Sequence, residues 1–322
     1  MRYDPKKTAE LLPSLTKEVL CDPGTVIRLA EERYSKEVDE VCGELLAQNK
    51  SVLLLCGPTS AGKTTTSARL LAGFAALGKK AEVISLDDFY RPQPQLPLWP
   101  DGEIDYESIE GLDLDAYGDI VSRLISTGHA LMGAHDFLND SKGAPRELSY
   151  DGDTVLIIEG LHALNPVVAA PFPKDRVYRL YISPHSDFTD GEGRVLITAR
   201  QLRLTRRMVR DYHSRGASAA ITMKMWRYIL KGEEEYIHPF RELADRHINT
   251  THAYEPFLYA PALERIAKQP CPPNMRTGIL KNESDLDTFK PALEELFGVY
   301  RELPPLSPSL LPESSLIHEF IF

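Results

Sequence analysis

SVLLLC at 51–56 runs into GPTSAGKT at 57–64, and TTSARLLAGFAAL follows at 65–77. A short apolar run that stops at a glycine reads as a parallel strand buried on both faces. Residues 62–77 read as a helix, with Gly78 as its stop signal. Between them, Gly57, Pro58, Thr59, Ser60, Ala61, Gly62, Lys63 and Thr64 match G-x-x-x-x-G-K-[ST] at every fixed position, in the strand–loop–helix setting that motif requires. Glycines let the backbone wrap so that successive N–H groups point inward at phosphate oxygens, and the helix N-terminus adds partial positive charge. Lys63 is expected at the β- and γ-phosphates, Thr64 at Mg²⁺, and Thr65 beside them on the first helical turn.

Beyond this unit, the apolar runs at 81–86, 154–158, 176–183 and 245–249 read as further strands. Helices are expected at 25–49, 112–126, 194–212, 217–230 and 285–300. The stretch 91–105 holds Pro92, Pro94, Pro97 and Pro100 and few helix formers, so it reads as a surface loop. Residues 131–151 carry Gly133, Gly143 and Pro145 and suggest a small β excursion. Strands alternating with helices predict the α/β class: a doubly wound, mostly parallel sheet of the P-loop NTPase type. A helical lid at about 200–217 and the β insertion complete the expected fold. The expected organisation is a helical extension at 1–50, a kinase-type domain at 51–300 and a proline-rich tail at 301–322.

In such a sheet the active crevice lies outside the carboxyl ends of the strands. Asp87 and Asp88 end one strand and Glu159 ends another. One carboxylate can take the proton of an acceptor hydroxyl while a second holds Mg²⁺, so Asp87 is read as the base and Glu159 as the metal-side acid. Acids also cap helices at such places, which is the bland alternative. Arg203, Arg206, Arg207 and Arg210 follow i, i+3, i+4, i+7 spacing and share one helix face, with Arg215 just beyond. Next to a phosphate loop, that face is expected to close on phosphates; without one it would read as a solvated face.

The bulk numbers set limits. The chain has 322 residues, 43% hydrophobic and 26% charged, with a net charge of −10. That charge argues against broad nucleic-acid or anionic-membrane binding. The first residues lack a signal-peptide core, and no window approaches ~18 consecutive apolar residues, so no membrane partner is expected. Cys21, Cys42, Cys56 and Cys271 are scattered without a C-x-x-C pair, which fits a reduced cytoplasmic protein.

These residues resemble the uridine kinase and phosphoribulokinase group of P-loop kinases, and especially its longer bacterial uridine-kinase-like proteins. The resemblance is carried by GPTSAGKTTTS at 57–67, SLDDFYR at 85–91, EIDYES at 103–108, HDF at 135–137 and LIIEGLHALN at 156–165. It continues in RLTRRMVRDYHSRG at 203–216, GEEEYIHPF at 232–240 and SSLIHEFIF at 314–322. It implies a phosphotransferase that uses ATP and Mg²⁺ on a small-molecule hydroxyl, with the 5′-OH of a uridine- or cytidine-like nucleoside foremost. It implies Asp87 as general base and Asp105 on the ribose hydroxyls. Tyr90, His135 and Phe137 would lie around the acceptor, and Arg207, Arg210 and Arg215 on the phosphates, Arg207 also facing the acceptor.

The chain departs from the family pattern at His135, Asp140 and Ala217, positions that help choose the base. Long relatives carry a domain resembling part of threonyl-tRNA synthetase before the kinase; with about 50 residues ahead of the first strand, none is expected here. Alternatives stay open at this point. The acceptor could be a sugar phosphate, a pantothenate-like alcohol or a polyol, or the chain could be an ATP-binding regulator without transfer activity. The apolar end of the tail is expected to pack on the domain or on a second subunit, which leaves homo-oligomerisation open.

Overall fold

Val52–Cys56 is buried along its whole length, as a central strand covered on both faces must be. The computed structural model that shows this describes residues 8–133, 135–136, 141–142, 145–272 and 284–321. In chain order the strands are β1 (Ala9–Leu11), β2 (Val52–Cys56), β3 (Ala81–Ser85), β4 (His129–Met132), β5 (His135–Asp136) and β6 (Ser141–Lys142). They continue with β7 (Arg146–Ser149), β8 (Val155–Gly160), β9 (Val177–Ser183), β10 (Asp187–Thr189), β11 (Val195–Ile197) and β12 (Arg246–Asn249). The helices are α1 (Leu12–Cys21), α2 (Pro23–Ala47), α3 (Lys63–Ala76), α4 (Leu114–Thr127) and α5 (Pro166–Ala169). After them come α6 (Ala199–Ser214), α7 (Ala219–Gly232), α8 (His238–Arg241), α9 (Pro256–Lys268) and α10 (Ser284–Arg301).

Five strands form the central sheet in the order β12-β9-β2-β8-β3, and every pairing in it is parallel. From β2 the chain runs to β3 at one edge, returns through β8, then crosses to β9 and β12 on the other side. The order therefore reverses around β2 and β8, and this is where a doubly wound sheet opens its crevice. Register sets Glu159 abreast of Leu55 and of Ser85, so the phosphate loop and the residues after β3 leave the sheet on either side of Glu159.

Side chains alternate along β2, as period 2 requires. Leu53 and Leu55 enter a core shared with α2, α3, α6 and α9, whereas Val52, Leu54 and Cys56 enter a second core with α4. Helix α2 belongs to the first core through Val38, Val41 and Leu45. It approaches α3 so closely that a Cβ on Gly73 would stand 2.8 Å from Cys42 Sγ. The buried pair Tyr34 Oη and Thr66 Oγ1, 2.8 Å apart, ties α2 to the helix that carries the phosphate loop.

The β excursion is present as the antiparallel pair β4–β7, with the short pair β5–β6 beyond it. Several expectations need correction. Residues 195–197, expected to be helical, are strand β11 paired with β10. The helix starts after them because Thr198 and Gln201 form a reciprocal capping box. The stretch 91–105 is not merely a surface loop: Leu96 and Trp99 are buried. Its polar side is held by α7, through Lys224–Glu103 at 2.7 Å and Tyr228–Asp101 at 2.7 Å. Among the described residues no helix is long and apolar enough to cross a membrane.

Candidate active site

The loop after β2 passes so close to β9 that a Cβ on Gly57 would lie 2.4 Å from the Ile182 carbonyl oxygen. Ser60 (φ 57°) and Gly62 (φ 95°) both take left-handed backbone conformations, which bend the loop over the start of α3. Lys63 folds back along it, with Nζ 3.4 Å from the Pro58 carbonyl. Thr59 Oγ1 accepts from Arg207 at 2.7 Å.

A cavity of about 390 Å³ opens above this loop. Its lining includes Thr59, Ser60, Gly62, Lys63 and Thr64 on one wall, and Asp87, Tyr90 and Glu159 on another. Arg207, Arg210 and Arg215 close it from α6 and its end. The structure thus brings together most residues singled out in the sequence. Gly57, Pro58 and Ala61 of the loop and Thr65 on the first turn of α3 do not line the cavity.

Asp87 sits on the short turn Leu86–Phe89 that follows β3. Glu159 is 7% exposed and accepts from Ser85 Oγ at 2.5 Å. Burial, and then the charge of Asp87, push its carboxyl up to about 7. Facing acids on this scale suit a divalent cation. Among the described residues no group of three or more His, Cys, Asp or Glu could hold a metal unaided. Thr64 and Glu159 therefore fit an ion that draws its other ligands from phosphate oxygens and water.

The arginine face divides in two. Arg206 is fully buried and bidentate with Glu255, at 2.8 Å and 2.7 Å, and its Nη2 also donates to the Thr250 carbonyl at 2.7 Å. Arg203 is buried against Glu233. These two hold helices together and do not line the cavity, a correction to the shared-face reading: spacing sets the face, but partners just before α9 and just after α7 decide its use. Arg207, Arg210 and Arg215 converge on the buried carboxylate of Asp211, at 3.0, 3.3 and 3.6 Å. One acid thus offsets the mutual repulsion of three guanidinium groups while they face the cavity.

Asp105 is placed differently from the expectation. Its Oδ1 accepts from the backbone N–H groups of Glu107 and Ser108, and its Oδ2 accepts from Tyr236 at 2.9 Å. Both oxygens are committed to holding the loop, and Asp105 does not line the cavity. Glu107, two residues on, does. It is 8% exposed, its Oε2 makes no hydrogen bond, and burial pushes its carboxyl up to about 8 against the pull of Arg207. Tyr90 lines the same region and donates to the Tyr106 carbonyl at 3.0 Å. Of His135 only the backbone, in β5, is described; Phe137 and Asp140 lie outside the described residues.

Glu107 carries a stability signature. Unfolded, it loses its proton near 4.5; folded, it keeps it to about 8. Between those values the native state binds the extra proton, so Glu107 makes stability fall as pH rises. Denaturant titrations at several pH values are expected to show Glu107→Gln stabilised relative to the parent, by an amount that grows from pH 5 to pH 8. A difference that is flat with pH would contradict this.

Sequence reasoning missed Glu107, Asp211 and Glu319. Asp211 had a legible signal, standing four residues after Arg207 on one helix. Glu319 lines the cavity from the segment after α10, where sequence distance hides it.

The sequence model of the Phosphoribulokinase / Uridine kinase family matches residues 52–254. The uridine kinase of Staphylococcus haemolyticus is 22% identical over 199 residues, which cover 61% of this chain and 86% of that protein. Human nicotinamide riboside kinase 2 is 29% identical over 121 residues, 37% of this chain and 48% of its own length. A solved chain described as a possible uridine kinase from Bacillus stearothermophilus aligns with 66% of this chain and 97% of its own, with a TM-score of 0.45 and 17% identity.

Proposed function

This chain belongs to the phosphoribulokinase / uridine kinase family, and from that premise we propose that it moves the γ-phosphoryl group of ATP onto a hydroxyl of a nucleoside-like molecule. Family membership already makes it a small-molecule kinase with ATP as donor. The finer reading is supported chiefly by one observation: a single cavity joins the phosphate loop, three arginines and the acids Asp87, Glu107 and Glu159.

In this reading the backbone of 57–64, with Lys63, Arg207, Arg210 and Arg215, holds the phosphates in line. Asp87 orients the acceptor hydroxyl and takes its proton as the new O–P bond forms and the bond from the γ-phosphorus to the β–γ bridging oxygen breaks, with ADP as the leaving group. Magnesium, held by Thr64 and Glu159 when bound, neutralises charge on the phosphate oxygens. Glu107 and Tyr90 line the acceptor end. Glu107's unpaired oxygen suits a hydroxyl of the acceptor, while Asp105 and Tyr236 fix the loop that presents it. Gln93 and Tyr106 line the cavity beside them, and among the described residues Arg91 is the one cation of the lining outside the phosphate loop and the arginines at 207–215; a lone guanidinium rather than a second cationic cluster favours a neutral polyhydroxyl acceptor over a sugar phosphate.

The test is ADP release from Mg-ATP across nucleosides, sugar phosphates and small alcohols. Turnover is expected with a nucleoside or a nucleoside analogue. Turnover confined to sugar phosphates would overturn the acceptor assignment.

A further inference from the structure

The family match ends at residue 254, yet the chain returns to the phosphate loop more than sixty residues later. Leu316–Glu319 form a single 3₁₀ turn, started by Ser315 Oγ accepting from Ile317 N–H at 3.2 Å. Leu316, Ile317 and Phe320 are completely buried. Leu316 lies against Gly62, where a Cβ would stand 2.5 Å from its Cδ1. Phe320 lies under the Arg206 guanidinium, 4.8 Å from its ring centre, and Arg206 Nη1 in turn donates to the Ser60 carbonyl at 3.4 Å. Ser315 Oγ lies 3.0 Å from Tyr254 Oη. The turn is wedged behind the loop, so its one acid is held in a fixed place.

That acid is Glu319. Its Oε2 accepts from Thr65 Oγ1 at 3.0 Å, and its Oε1 lies 3.8 Å from Arg210 Nη1. Arg210 Nε faces Asp211 Oδ1 at 3.3 Å. Two acids therefore flank Arg210, one at Nε and one at Nη1, and its Nη2, buried in the structure, makes no hydrogen bond. A guanidinium held this way offers its remaining N–H groups to an anion in the cavity without first having to be ordered.

We infer that Glu319 is a positioning residue of the nucleotide site: it fixes Thr65 and Arg210 so that the Arg210 Nη2 group, which has no other hydrogen bond, meets the ATP phosphates. The inference rests on the proposed nucleotide reading of the cavity. It also gives the 302–321 segment a role, as a strap that braces the phosphate loop through Leu316 and tunes it through Glu319.

The experiment uses the full chain and compares Glu319→Ala and Glu319→Gln with the parent. Nucleotide binding is measured by calorimetry with ATP, and steady-state kinetics are measured for each substrate. Glu319→Ala is expected to raise KM and Kd for ATP about tenfold, the scale of one lost charge-assisted hydrogen bond, with the acceptor KM unchanged. Glu319→Gln still accepts from Thr65 and is expected to recover part of that loss, which keeps the test decisive if the alanine variant folds poorly. A Thr65→Val change should add little on top of Glu319→Ala, because the two share one contact. Unchanged ATP affinity in both Glu319 variants would overturn the inference. Tighter ATP binding would overturn it too, by showing that the carboxylate competes with the phosphates. Failure of the parent itself to bind ATP would instead sink the nucleotide reading.

Discussion

Asp87→Asn lowers turnover by about 10²–10⁴-fold while ATP affinity stays nearly unchanged, the result expected of a general base that touches the acceptor and not the donor. The asparagine keeps the shape and a hydrogen-bond acceptor but cannot take a proton at neutral pH. Its place on the turn after β3 sets it across the cavity from the phosphate loop, so the loop's grip on nucleotide should survive. Calorimetry with ATP and initial rates with the preferred acceptor separate the two effects. Equal loss of nucleotide binding would mean that Asp87 serves the phosphates or their metal, and the base would have to be sought elsewhere.

Two neighbouring arginines supply the second large contrast. Arg206→Leu removes one member of a fully buried, bidentate pair and leaves Glu255 in the core without its counter-charge, held among the described residues only by the His252 N–H and the Tyr259 hydroxyl. Breaking such a pair costs about 3–5 kcal/mol, so this variant should show a much lower urea midpoint, or fail to fold. Arg207→Leu removes a group that faces the cavity and donates to Thr59. It should fold, and lose turnover by about 10²–10³-fold, as expected when charge stabilisation of a transferring phosphoryl is removed. Denaturation curves and initial rates for the two variants are therefore expected to rank in opposite order. The same ranking in both measurements would contradict the division of the arginine face.

These contrasts also mark what the sequence could carry. The phosphate loop was legible because its chemistry is local: eight consecutive residues, a strand before them and a helix after them. Asp87 and Glu159 were legible because the carboxyl ends of parallel strands converge at one edge of the sheet. The arginine spacing fixed a shared face, but it could not show that Arg203 and Arg206 meet Glu233 and Glu255, since those partners come from distant segments. Asp105 was a natural choice within IDYES; only the folded loop shows its oxygens taken by Tyr236 and two N–H groups while Glu107 turns into the cavity. Helix α9 went unrecognised because Pro256 and Pro261 lie within it. Pro261 stands inside the helix, and the Phe257 carbonyl that its missing N–H leaves free accepts from Leu306 N–H at 2.8 Å. Strands β1 and β10 are three residues each, too short for a period to register. The strap after α10 reads as an apolar ending, and its contact with Gly62 and Thr65 is purely tertiary.

If one cavity passes a phosphoryl group from ATP to a hydroxyl, both products must carry the mark of the transfer. The most direct measurement is mass analysis of both products after incubation with Mg-ATP and the best acceptor from the panel. The expected products are an acceptor heavier by one phosphoryl group and ADP in equal amount, formed about 10²–10⁴-fold more slowly with Asp87→Asn. ADP formed alongside inorganic phosphate, with every acceptor unchanged, would contradict that transfer and make the chain an ATPase.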